Sequence, residues 1–160
     1  MILKIKSKVD KVIEYTLVVL MSLMVFNVLW QVFTRFVADD PSSFTDELAR
    51  FLLIWLGLVG AGYVAGRNMH LAIDYFAGKM SHSIQKVINI FVNSVVFLFA
   101  LIALVIGGIS LVSLTLELEQ TSAALQVPLG YVYLALPISG ILIMFYSAVN
   151  IDEIIKNGKL

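Results

Sequence analysis

Asn27, Gln31, Thr34 and Arg35 interrupt an otherwise apolar stretch at helical spacing, so they share one stripe of a helix. Inside a bilayer such a stripe has two uses. It can line a path for a substrate or an ion, or it can tie helices together, because amides buried in lipid seek partners. A second group follows. Asp46 and Arg50 lie four residues apart and Glu47 and Arg50 three apart, the spacings of local ion pairs on a helix. Either acid could instead hold Arg35 across the intervening turn, or the group could form a solvated helix mouth. Asn89 and Asn93 make a further amide pair one turn apart, read as a contact between helices.

Stronger chemistry finds no support. No carboxylate or lysine falls in the middle of an apolar run, so no proton relay or ion-coupling site is evident. Glu14 lies at a helix end, which argues against a proton-coupled exporter. The chain has no cysteine, which removes disulfides, thiolate metal sites and CxxC redox chemistry. His70 and His82 fall in a polar stretch, where they cannot face each other as axial ligands. No GxSG–histidine pair, phosphate-binding loop or HExxH motif is present. The expectation is a protein that is not an enzyme and has no catalytic, cofactor-binding or metal site.

The distribution of charge sets the elements that must carry these residues. Of 160 residues, 60% are hydrophobic and 14% charged, with a mean hydropathy of +0.95. Soluble domains run at about 25% charged, so soluble classes are excluded. The eleven basic and eleven acidic residues cancel, which leaves no basic excess for nucleic acid. Charge-free runs cover 15–34, 51–66, 87–116 and 120–151. A spanning helix needs about 20 apolar residues, so the expected fold is an all-α membrane protein forming one domain over 1–160. Its four transmembrane helices fall near 14–36, 44–66, 84–116 and 125–149, the long third and fourth being tilted or projecting. A cleaved signal peptide does not fit, because the first run is too long and no small-x-small site follows it.

Nine of the eleven basic residues lie in the N-terminal tail (Lys4, Lys6, Lys8, Lys11), the second loop (Arg67, Lys79, Lys86) and the C-terminal tail (Lys156, Lys159). Asp39, Asp40, Asp46, Glu47, Glu117 and Glu119 collect on the opposite side with Arg35 and Arg50. The positive-inside rule then puts both termini in the cytoplasm. Residues 1–14 read as a short basic amphipathic segment on the inner leaflet, with Ile2, Ile5, Val9, Val12 and Ile13 on its apolar face. The loop 67–86 offers a second interfacial segment through Ala72, Tyr75, Phe76 and Met80, or a flexible polar loop. Asp39-Asp40-Pro41-Ser42-Ser43 is a turn cluster, and Ser43 or Thr45 can cap the second helix. Pro128 sits near the start of the fourth helix, and Pro137 should bend it. Gly57, Ala61 and Ala65, with Gly62 and Gly66 beside them, form small-residue ladders that let backbones approach, so they and the amides Asn27 and Gln31 are helix-packing candidates. Trp30, Trp55, Tyr131 and Tyr133 include interfacial anchors.

The stretch Trp30-Gln31-Val32-Phe33-Thr34-Arg35-Phe36-Val37, then Phe44-Thr45-Asp46-Glu47-Leu48-Ala49-Arg50 and Trp55, resembles the small, DctQ-like membrane subunit of TRAP (tripartite ATP-independent periplasmic) transporters. The resemblance continues through Gly60-Ala61, Arg67-Asn68-Met69-His70, Asp74, Thr121-Ser122-Ala123-Ala124-Leu125 and the run from Pro128 to Pro137, covering about residues 10–150. Asp46 departs from the family's usual Glu but keeps the charge. The resemblance implies a non-catalytic subunit of the bacterial inner membrane that scaffolds a large, sodium-coupled, elevator-type subunit. It also implies help in docking a periplasmic binding protein that delivers an organic acid, such as a C4-dicarboxylate or sialic acid. Carried onto this chain, the periplasmic docking candidates are Arg35, Asp46, Glu47, Arg50, Glu117 and Glu119, with Asp39 and Asp40 also facing that side. The partners implied are the large subunit, the binding protein and membrane lipids, with no nucleic acid. The competing class is a self-sufficient homo-oligomeric exporter or channel that lines its pore with the Asn27–Gln31–Arg35 stripe.

Overall fold

The computed structural model describes residues 2–37, 42–66 and 82–157. The Asp39–Asp40–Pro41 turn and the segment 67–81, with its expected interfacial stripe, lie outside the described residues. The helices are α1 (Ile2–Phe36), α2 (Ser43–Gly66), α3 (His82–Phe99), α4 (Gly107–Glu117), α5 (Leu129–Tyr133) and α6 (Ala135–Asn157), with a π-helical stretch, Ala100–Ile106, joining α3 to α4. Among the described residues, four stretches are long and apolar enough to cross a membrane: Ile5–Phe36, Ser43–Gly66, Ile84–Glu117 and Leu129–Lys156.

No glycine or proline occurs between residues 2 and 36. The N-terminal amphipathic segment accordingly continues α1 without a break rather than forming a separate turn. Part of its apolar side is used against the protein: Ile13 is buried with Val59 and Tyr146, and Val9, Leu17 and Trp55 pack onto that cluster, while Ile5 and Val12 stay exposed. Trp55 is half-buried in this packing. At 35 residues, α1 is about 52 Å long, well beyond the roughly 30 Å hydrocarbon core of a bilayer.

The described helices form a row rather than a closed ring. α1 packs on α2, α2 on α6, and α6 on α3, the π-helical stretch and α4. The fourth span is the interior of the row, half buried where each other span is about one-tenth buried. Its composition suits that place. Ala135, Ser139, Ser147 and Asn150 are buried, and Gly140 brings its backbone against the third span, where a Cβ would meet Leu104 and Val105 at 2.8 Å.

The fourth span starts at Leu129 rather than 125, because residues 121–128 form a turn closed by a bridge between Thr121 and Pro128. Its helix α6 runs to Asn157, past the expected 149. Pro137 has no N–H to donate and presses on the carbonyl of Tyr133. The helix divides at Leu134, and the flanking bonds from Leu134 N to Gly130 O and from Ile138 N to Leu134 O both stretch to 3.2 Å. Opposite this break the third span is also irregular. Gly107 N–H reaches back five residues to Ile102 O, and a Cβ on Gly108 would lie 2.9 Å from both Leu136 and Pro137.

Candidate functional site

At the end of the row where α1 stops and α2 starts, the polar stripe of α1 turns toward α2. Asn27, buried, donates from Nδ2 to the carbonyl of Thr45 at 2.8 Å. One turn on, Gln31 Nε2 donates to Asp46 Oδ1. Thr34 donates within its own helix to Gln31 O at 3.1 Å, while Arg35 is exposed, with its guanidinium 5.9 Å from the ring centroid of Phe36. Asn27 and Gln31 thus join two helices of one chain. Thr45, a candidate cap, sits fully buried inside the first turn and donates its hydroxyl to Ser42 O at 2.7 Å.

Glu47 holds the other side of this end. One carboxylate oxygen accepts the N–H of Ala123 at 2.9 Å; the second accepts those of Ala124 at 3.0 Å and Leu125 at 2.9 Å. Successive N–H groups converging on one anion form a nest, and the small side chains of Ala123 and Ala124 leave room for helix α2 to approach it. The turn is braced internally by Ser122 N to Val127 O at 2.9 Å and Val127 N to Ser122 Oγ at 3.2 Å, with Gln126 in the left-handed region at φ 55°. Ion pairs were expected between Asp46 or Glu47 and Arg50 or Arg35; none forms among the described residues. The physical reason is that both carboxylates have better partners: Asp46 faces α1, and Glu47 faces the turn. Arg50, Glu117 and Glu119 remain exposed around it.

The small-residue ladders diverge. A Cβ on Gly62 would lie 3.2 Å from Leu142, and one on Gly66 would lie 2.6 Å from the ring of Tyr146, so this pair faces α6. Ala65 is half-buried and lends its carbonyl to Asn150 Nδ2 at 3.1 Å. Gly57 and Ala61 are exposed, and a Cβ on Gly57 would meet nothing within 4 Å. They form an outward face.

A polar cluster at the opposite end was not anticipated from the sequence. The Tyr146 hydroxyl donates to Asp10 at 2.5 Å, the Tyr63 hydroxyl to Glu14 at 2.7 Å, and Lys6 pairs with Glu153 at 3.5 Å. Asn150, fully buried, also reaches Asn93 Oδ1 at 3.4 Å, and Asn93 donates to Asn89 O at 2.9 Å. The Asn89–Asn93 pair pointed here. What would have completed it is Asn150 itself, an amide one turn beyond Ser147 at the end of an apolar run.

Known proteins match this chain over nearly its whole length. Residues 13–157 match the family model described as Tripartite ATP-independent periplasmic transporters, DctQ component. A TRAP transporter small permease protein of Haemophilus influenzae is 26% identical over 148 residues, 92% of this chain and 88% of that one. The sialic acid TRAP transporter small permease protein SiaQ of Vibrio cholerae is 26% identical over 161 residues, 98% of this chain and 87% of its own. The sialic acid TRAP transporter permease protein SiaT of H. influenzae is 25% identical over 115 residues, which are 72% of this chain and 18% of that much longer protein. With four apolar helices long enough to cross a membrane and a family match spanning all four, the chain belongs to the DctQ component family of TRAP transporters.

Proposed function

We propose that this chain is the small, non-catalytic permease subunit of a bacterial TRAP system, and that it forms fixed scaffold beside a large transport subunit. The observation that carries this reading is the match to SiaT, where a stretch like this one is 18% of a single, longer permease chain. A row of helices with two apolar flanks is the shape such a role needs, because one flank can face a partner while the other faces lipid. Sodium coupling belongs to the large subunit in this reading. The solute is an organic acid of the sialic acid or C4-dicarboxylate kind.

The same reading orients the chain with both termini in the cytoplasm of a cell with an inner membrane, supported by the lysine-rich ends. The end built by Asp46, Glu47 and the 121–128 turn is then periplasmic. Arg35, Arg50, Glu117 and Glu119 form a charged rim around it that steers the binding protein, since rim charges act chiefly on encounter. Asp46 and Glu47 shape this edge and the four exposed residues meet the partner.

Co-purification tests the scaffold role: a tagged chain extracted in mild detergent brings down a much larger hydrophobic subunit. Homo-oligomers that move solute in liposomes by themselves would sink the reading.

A further inference from the structure

The inner half of α1 separates its charges by face. Asp10 and Glu14 turn toward the protein and accept from Tyr146 and Tyr63, and Lys6 reaches Glu153. Lys8, Lys11 and Tyr15 turn outward and are exposed. Farther along the helix, Val18, Ser22 and Phe26 continue the outward stripe at helical spacing and enter an open groove of about 660 Å³ between α1 and α2. Leu17, Met21 and Val25 complete its α1 wall, and Leu56 and Gly60 form the α2 wall. The groove stays apolar because its one hydroxyl, on Ser22, donates back to Val18 O at 2.8 Å.

Length decides between occupants. From Leu17 to Phe26 the groove runs about 14 Å along the helix, close to the roughly 15 Å of one leaflet of hydrocarbon and half of what a spanning helix covers. Its mouth adjoins a tyrosine, which suits the headgroup level, and two outward lysines that form no ion pair among the described residues. We propose that the groove binds one acyl chain of an anionic phospholipid whose phosphate is held by Lys8 and Lys11. The site rests on the chain spanning a bilayer and not on its pairing with a larger subunit.

The test is native mass spectrometry of the full chain, co-expressed with the large subunit of its system and released from membranes containing phosphatidylglycerol and phosphatidylethanolamine. The expected result is bound lipid enriched in phosphatidylglycerol over the bulk membrane. Lys8→Gln and Lys11→Gln each lower that enrichment about fivefold, the worth of one lysine at an anionic surface, without reducing total bound lipid. Gly60→Leu fills the groove from α2 and lowers the total. Ser22→Phe fills it from α1, so the result does not depend on one variant's packing. Bound lipid matching the bulk composition, or enrichment that survives loss of both lysines, overturns the proposal. So does a crosslink from Met21→Cys to the large subunit, which would make the groove a protein interface. Failure of the large subunit to co-purify appears in the same spectra and bears on the subunit reading alone.

Discussion

Glu47 stands four residues into its helix and faces a turn 76 to 78 positions away in sequence, where three backbone N–H groups meet its carboxylate. Glutamine at this position keeps one acceptor oxygen but sets an NH2 group against the remaining donors. Glu47→Gln should therefore speed hydrogen exchange at the amides of Ala123, Ala124 and Leu125, whereas Arg50→Gln should leave all three unchanged. Uptake by the complete transporter should fall with Arg35→Glu or Arg50→Glu through a weaker interaction with the binding protein. Unaltered uptake in both reversals would remove the docking edge. At the opposite end, Tyr146→Phe leaves Asp10 without its donor. A hydrogen bond to a charged group contributes about 1.5–3 kcal/mol, and a thermal melt in detergent reads the loss. Sequence spacing located the charged residues of α2 but misassigned their partners. Helical periodicity relates neighbours three or four apart, and both carboxylates found theirs on other elements.

At the scale of elements, apolar run length was enough to count and order four spans, because a bilayer leaves few ways to satisfy a backbone. Their irregularities were less legible. Pro137 announced a break. The π-helical stretch did not, since Ala100–Ile106 is uniformly apolar and carries no glycine or proline to mark it. Gly140 and Gly108 put backbone where side chains would collide, so Gly140→Ala must push Leu104 and Val105 aside. Overpacking of this kind costs about 1–3 kcal/mol. Gly57→Ala meets open space and should leave the melting temperature of the chain unchanged. The pair of melts tests whether the ladders of α2 divide as described, one toward α6 and one outward.

For the whole molecule, the oriented charge distribution makes a prediction that needs no partner. The chain lacks cysteine, so single substitutions can report topology cleanly. In intact cells with a permeable outer membrane, Ala124→Cys should react with a membrane-impermeant maleimide and Ser7→Cys should not; the reverse pattern would invert the protein. The row arrangement also has a consequence for how the chain is made. The span that sits between α2 and α3 is the last of the four to leave the ribosome. Gly62 and Gly66 of α2 and Gly108 of α4 all pack against that span, and among the described residues α2 and α3 meet chiefly through it. A nascent chain stalled before Leu129 therefore lacks the surface against which these glycines pack, and its third span should associate with the α1–α2 pair less tightly than in the finished chain. Insertion of the fourth span is thus the step that joins the α1–α2 pair to the third span.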